Sequence, residues 1–450
     1  MKKVIVYLIL LFVAIPLHSQ YTVKSGVGEP FLAVNDTRNL IDVYLLNGLQ
    51  GAEISFTSEM QATSHSWYKY KRSTNETFPV ASSVLSENTS VIYDIEDGFG
   101  YYVGTEHSPG ANSVVWIIDY SRYKPQFNTI KIEVEDEDKC EAAKVVVDMN
   151  AEILSYHHTS GRINNIDRVF TLEYDYLEWN DSQKQFVAEQ KKVEVKGTSI
   201  EYAIEAPLVN SVYTVRGDQF ARYFGEEQLI STEEYNAYAV DVRTYAYIIS
   251  EEDDEELNVG QSYEAPLRVW FQAYSNELPG VMYTWKIFKI DPATNQREPS
   301  EVFRYTTALC ETYFMESGIF DVVLEVKVPN SNETCTYDSN FNTDEGYEFR
   351  IKLEESYLKL PNAFSPGSSF GHNDVYKVGY KSIVSFKASI FNRWGNLLYT
   401  WNDPDKGWDG RVSGKYVPTG VYYIVVEAKG ADGKIYKKSS DINILRSKNE

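Results

Sequence analysis

The nine residues FDVVLEVKV, Phe320–Val328, put Phe320, Val322, Leu324, Val326 and Val328 on one side of an extended chain, and Asp321, Glu325 and Lys327 on the other. Side chains alternate across a strand with a period of two, so this segment reads as a strand with one buried and one wet face. The same alternation runs through Phe170, Leu172, Tyr174 and Tyr176 in RVFTLEYDYLEW, and through Ile130, Ile132 and Val134 in TIKIEV. One-sided burial is typical of antiparallel sheets. No long helical periodicity competes with it, and turn clusters interrupt the strands at short intervals. The fold class is therefore all-β, built as tandem β-sandwich modules.

A chain of 450 residues, 43% of them apolar, has room for four sandwiches of about 100 residues each. Three junctions divide it. The acidic run EEDDEEL, Glu251–Leu257, reads as a solvated linker, because consecutive carboxylates without a shaped loop rarely cage calcium. Pro361 and Pro366 mark a second junction in LEESYLKLPNAFSPG, and Pro125 marks a third in SRYKPQFN. The expected modules are 21–125, 126–250, 258–355 and 357–450.

Residues 1–19 stand apart from these modules. Lys2 and Lys3 precede an apolar run from Val4 to Ile15, followed by Pro16, Leu17, His18, Ser19 and Gln20, the grammar of a secretory signal peptide cleaved between Ser19 and Gln20. Twelve residues rise about 18 Å as a helix, short of the roughly 30 Å needed to span a membrane. The formal net charge of −22 disfavours nucleic acid and anionic lipid and favours solubility. Three cysteines in an exported chain cannot all pair internally. Cys310 and Cys335 fall in one module and form the candidate disulfide, with Cys140 left as a buried thiol.

Within the first module, Trp67 in SHSWYKY and the DGFGY corner Asp97–Tyr101 resemble features of immunoglobulin-like sandwiches, where a tyrosine hydroxyl ties a loop to its strand. In the third, APLRVWFQAYSNELPGVMYTWKI followed by ESGIFDVVLEVKV resembles a PKD domain, with Tyr283 and Trp285 in the middle strand and Gly318 and Phe320 before the last. KIFKIDPATN replaces the turn usual in that family.

The last ninety residues alternate through Phe386, Ala388 and Ile390, add the strong strand GVYYIVVEA, and place NRWG and DPDKGWDG as turns between strands. They form a small C-terminal β-sandwich in which Trp394 and Trp408 are expected as packing anchors, and Gly407, Gly410 and Gly420 as positive-φ positions. The ordered motifs LPNAFSP, ND, IFNRWG, GWDG, PTGVYY and INILR resemble the gliding-motility-associated C-terminal domain of Bacteroidota, the type B sorting domain of the type IX secretion system. The residues that match are Pro361, Asn362, Phe364, Pro366, Asn373, Asp374, Asn392, Arg393, Trp394, Gly395, Trp408, Asp409, Gly410, Pro418, Gly420 and Tyr422. GSSFGH stands where the family has an Asn-Gly-Asp-Gly turn. The resemblance implies passage through the periplasm and across the outer membrane to the cell surface or medium. It also implies the type IX machinery as partner, with an outer-membrane β-barrel protein as one candidate component.

No H-E-x-x-H, G-x-S-x-G, P-loop or dinucleotide fingerprint occurs in the chain. His157 and His158 are adjacent, point to opposite faces of an extended chain, and read as an exposed polar pair rather than metal ligands. No catalytic residue, metal or cofactor is assigned. The 35 tyrosines serve strands, and in loops they offer contact area to an extracellular protein or glycan. Two functions follow: a non-enzymatic surface protein for adhesion, gliding or surface-structure assembly, and a secreted hydrolase or carbohydrate-binding protein with an unrecognised site. No module reaches the size of a catalytic barrel, which favours the first.

Overall fold

The computed structural model describes residues 20–59, 64–135, 139–250, 253–329, 334–367 and 373–446. The expected signal sequence and its cleavage point after Ser19 lie outside them, as do Glu251 and Glu252. Among the described residues, helix is confined to Gln219–Tyr223, Ser339–Asn342 and the 3-10 turn Tyr120–Arg122. The chain divides into two compact units, Met1–Tyr176 with Glu189–Asn236, and Leu177–Ala188 with Ala237–Glu450.

The first unit holds two sandwiches. One stacks a four-stranded sheet (Tyr21–Lys24, Glu53–Thr57, Thr89–Ile92, Ser83–Ser86) on a six-stranded sheet whose centre is Ile41–Leu46, Val114–Asp119 and Phe99–Val103. Ile41–Leu46 and Val114–Asp119 run parallel and are buried on both faces, which is why they read as apolar runs rather than alternations. Trp67 is buried against the rings of Tyr21 and Phe56, and its Nε1 donates to Ser90 Oγ at 2.8 Å. Tyr101 forms the expected corner: its hydroxyl accepts the Glu96 backbone N–H at 2.6 Å.

The second sandwich stacks Gln126–Glu133, Ala142–Asn150 and Ile200–Glu205 on a sheet whose centre pairs Val169–Asn180 with Thr214–Gly217, over a core that includes Val145, Phe170, Leu172 and Val215. The two sandwiches share further apolar packing, in which Trp116, Ile118 and Tyr120 meet Leu154, Tyr156, Ile166 and Phe220. Here the structure corrects the histidine pair. His158 is buried beside Asn164, and His157 stacks on Trp116 with ring centroids 5.5 Å apart.

A fully buried ion pair, Arg168 with Asp218, sits at this joint. Arg168 also donates from Nη2 to the Tyr123 carbonyl at 2.6 Å and from Nε to the Glu152 carbonyl at 2.8 Å. Asp218 accepts the Tyr120 hydroxyl at 2.7 Å and the Ala221 N–H at 3.0 Å. Buried charges are tolerated when they are paired and hydrogen-bonded in this way.

In the second unit, Val242–Ile248 pairs with Leu267–Ser275, and Glu255–Glu256 pairs back onto Tyr247 and Ile248. The described part of the acidic run is thus a hairpin connection inside the third sandwich rather than a linker. Leu257 at its end is buried in that sandwich's core. The boundary expected between 250 and 258 therefore moves to near Ala237.

Phe320, Val322, Leu324 and Val326 face the core with Val269, Phe271, Trp285 and Ile351, as their alternation requires. Their opposite face is less wet than expected, because Asp321 is buried beneath the guanidinium groups of Arg297 and Arg350 at 3.1 and 2.7 Å.

The expected Cys310–Cys335 disulfide does not form. Cys310 lies in Leu309–Phe314, in phase with inward Thr312 and Phe314, and is a free buried thiol. Cys335 lies in Thr334–Asp338, which pairs with Gly318–Pro329 in the opposite sheet, and both Cys335 and Cys140 are disulfide-bonded. Burial pushes the Cys310 thiol up to about 12, so it carries almost no thiolate at neutral pH. Native protein at pH 8 should therefore leave Cys310 unmodified by iodoacetamide, and unfolding without reductant should expose a single reactive thiol in the mass spectrum. Arg168→Ala should cost the first unit about 3–5 kcal/mol by stranding the Asp218 carboxylate, read as a lowered transition in calorimetry of the full chain.

Candidate functional site

The C-terminal module is a five-stranded sheet in the order Ala363–Phe364, Ile435–Ile444, Gly420–Gly430, Ile383–Phe391, Leu397–Trp401, closed by the pair Tyr357–Lys359 with Gly379–Lys381. Trp408 is fully buried at its centre. Its indole meets Phe364 at 5.6 Å and Tyr422 at 5.7 Å, and its Nε1 donates to the Arg411 carbonyl at 3.0 Å. The backbones of Trp408 and Tyr376 exchange two hydrogen bonds, and the Tyr376 hydroxyl donates to the Pro361 carbonyl at 2.8 Å.

Four segments distant in sequence therefore meet around one ring. Gly410 has φ +75°, and a Cβ on it would stand 2.8 Å from Pro366, so the close approach and the turn both require glycine. Gly407 departs from expectation. It does not take a positive φ, and a Cβ there would lie 2.3 Å from the Tyr376 carbonyl oxygen.

The sixteen motif residues divide by burial. Phe364, Pro366, Trp408, Gly410 and Tyr422 lie in the core, while Pro361, Asp374 and Asn392 are half-buried. Asn362, Asn373, Arg393, Trp394, Gly395, Asp409, Pro418 and Gly420 are exposed. Several of these hold turns. Asn373 takes φ +59° and accepts the Ser365 N–H, and Asp374 accepts the Gly367 N–H at 3.2 Å. Asn362 accepts the Asn443 N–H at 2.8 Å, and Asp409 accepts the Arg411 N–H at 3.0 Å.

Trp394 corrects the expectation that both tryptophans anchor packing: it is 71% exposed. The reason is local. Asn392 Oδ1 accepts the backbone N–H of Trp394 at 3.0 Å and of Asn396 at 2.9 Å, and Gly395 follows at φ +81°. This Asn-x-x-Gly turn projects residues 393 and 394 outward, where the Arg393 guanidinium lies over the Trp394 ring at 4.2 Å.

A second turn stands opposite, held by the Tyr422 hydroxyl donating to the Pro418 carbonyl at 3.0 Å, with Gly420 at φ +144°. Asn392, Arg393, Trp394, Pro418, Thr419 and Gly420 line the mouth of a cavity of about 350 Å³ floored by Leu398, Val417 and Tyr422. The motif thus builds a core and, at its rim, an apolar pocket lined by the Arg393 cation, with Arg446 bonded to the Val417 carbonyl beside it.

That pocket lies at one pole of the module. Ile383–Phe391 and Gly420–Gly430 begin and end in opposite senses, so Phe391 and Gly420 share an end, as do Ile383 and Gly430. At the latter end Ser382 Oγ accepts the Ala265 N–H at 3.1 Å, Ala431 joins the core of the third sandwich, and Asp432 accepts the Ser356 hydroxyl at 2.7 Å. A nine-residue strand at about 3.3 Å per residue separates the two poles by about 30 Å.

The segment GSSFGH falls mostly outside the described residues. Among the described residues no group of three or more His, Cys, Asp or Glu is placed to hold a metal ion. No helix among them is long and apolar enough to cross a membrane.

Residues 358–442 match the family model of the CHU_C type IX secretion signal domain, and residues 132–232 match a fibronectin type III domain. The first is the sorting-domain family expected from the motifs. No curated protein matches the chain. Among solved structures the chain aligns with a tetra-tandem repeat from the extending region of a large adhesion protein, at 11% identity over 94% of this chain and 99% of that one, TM-score 0.23. It aligns with a Ca2+-stabilised adhesin of an Antarctic bacterium at 12% identity over 94% and 100%, TM-score 0.18. Dimeric latent PorU from Porphyromonas gingivalis aligns at 10% identity over 75% and 36%, TM-score 0.16.

The two tryptophans should separate in a thermal melt of the purified chain. Trp408→Ala opens a core cavity and should cost about 3–5 kcal/mol, whereas Trp394→Ala should change stability by no more than about 0.5 kcal/mol.

Proposed function

We propose that the chain is a non-enzymatic modular protein, delivered to the cell surface or medium by the type IX secretion system through its C-terminal module. Its preceding sandwiches, the third of them PKD-like, then serve adhesion, gliding or surface-structure assembly toward a protein or glycan ligand. The match of residues 358–442 to a secretion signal domain carries the reading. The N-terminal signal grammar supports the first step, to the periplasm.

The pocket of Asn392–Trp394 and Pro418–Gly420 is the contact through which the machinery, including any outer-membrane β-barrel component, reads the module. It supplies exposed aromatic area and an arginine, the residue types that dominate binding energy at interfaces. It stands about 30 Å from the cargo, so recognition and cargo do not compete for space.

Removing Tyr357–Glu450 should leave the remainder in the periplasm. Trp394→Ala with Arg393→Ala should give a folded module that is exported poorly. Cell fractionation with a melting curve for each variant checks both. Surface levels equal to wild type in the deletion would refute the address, and equal levels in the double variant would move the contact elsewhere on the module.

A further inference from the structure

Charge is distributed unevenly along the chain. Residues 357–450 carry 14 lysines and arginines against 8 acidic residues, a net +6, whereas residues 1–356 carry 29 against 57, a net −28. A basic module on an acidic chain needs a reason beyond solubility.

Part of that charge borders an open strand edge. Ile435–Ile444 is paired along its length with Gly420–Gly430, but on its other side with Ala363–Phe364 alone, at Asn443 and Ile444. The Asn443 N–H is turned outward to the Asn362 carbonyl at 2.8 Å. The register runs without a bulge, so the period of two turns the N–H groups of Lys437, Ser439 and Asp441 outward as well. Among the described residues no strand pairs with them. The edge is open for five residues.

This edge borders a cleft of about 740 Å³ walled by Tyr357–Leu360 on one side and Lys437–Ser440 on the other. Lys359, Lys437 and Lys438 are all exposed around it. Lys438 Nζ reaches across to the Leu358 carbonyl at 2.6 Å, a neutral acceptor.

We propose that this cleft is a strand-addition site for an extended acidic peptide segment of a partner protein. An added strand takes its affinity from main-chain hydrogen bonds to an exposed edge and its specificity from alternate side chains. Lysines on an edge repel neutral and basic strands by the cost of covering their charge. A strand carrying carboxylates at alternate positions removes that cost, so the edge is selective rather than closed. The site is separate from the Trp394 pocket and does not rest on the export reading.

The test uses the purified full chain and a fluorescein-labelled heptapeptide alternating glutamate and valine, with its lysine–valine counterpart as control, followed by fluorescence anisotropy. The acidic peptide should bind, weaken as salt rises, and be displaced by its unlabelled form, while the basic peptide should not bind. Ser439→Pro removes an outward donor without touching the ladder to Gly420–Gly430. It should weaken binding at least tenfold with an unchanged melt. Lys437→Glu with Lys359→Glu should do the same without altering the backbone, and so serves if the proline variant unfolds. No binding of the acidic peptide, equal binding of the basic one, or binding indifferent to both sets of substitutions would overturn the proposal. Monomer in sedimentation throughout is expected, and an edge already occupied by a second copy of this chain would also overturn it.

Discussion

The Trp408 indole is the constraint on which the C-terminal module depends. In a small five-stranded sheet one large ring fills a part of the core that several aliphatic side chains would otherwise have to share. The ring also organises backbone. Its residue clasps Tyr376, its nitrogen fixes Arg411, and its ring contacts Phe364 and Tyr422, so segments spread from Phe364 to Tyr422 acquire fixed positions. The exposed turns at Asn392 and Pro418 inherit their placement from that core.

A different constraint joins the first two sandwiches. Arg168 and Asp218 are removed from water altogether, which costs several kcal/mol per ion before pairing returns it. What the arrangement secures is specificity of contact. Tyr120 and Tyr123, at the end of the first sandwich, each supply a hydrogen bond to this pair, and the Glu152 carbonyl supplies another. Nothing in the local pattern around Arg168 marks it for burial, because its partners come from residues 120, 123, 152 and 218.

Much of the fold was legible because strand burial is periodic. The inward phase of Phe320, Val322, Leu324 and Val326 holds in the structure, although Asp321 and Val323 between them are buried too, and the Asp97–Tyr101 corner forms from residues adjacent in sequence. Periodicity reports which face of a strand is buried, and it is silent about which strand lies beside it. That silence accounts for the acidic run read as a linker and for Cys310 assigned to Cys335, since both errors concern pairing.

The same limit explains the tryptophans. In NRWG and GWDG each sits beside a glycine and polar neighbours, and local chemistry does not distinguish them. Trp408 is drawn inward by a bridge to Tyr376 some thirty residues earlier, whereas Trp394 rides a turn whose hydrogen bonds all close locally on Asn392. A long-range bridge buries its residue; a self-contained turn leaves its tip free. A motif read as one list thus encodes two physical jobs. Residues that close long-range contacts make the module fold, and residues that close only their own turns are left exposed. Because the turns sit at the pole opposite Ser382, Gly430 and Ala431, they stand away from the contacts with the third sandwich. The strand length that separates those poles is itself set by the sandwich, so the distance between the exposed turns and the third sandwich is a property of the fold rather than of a linker.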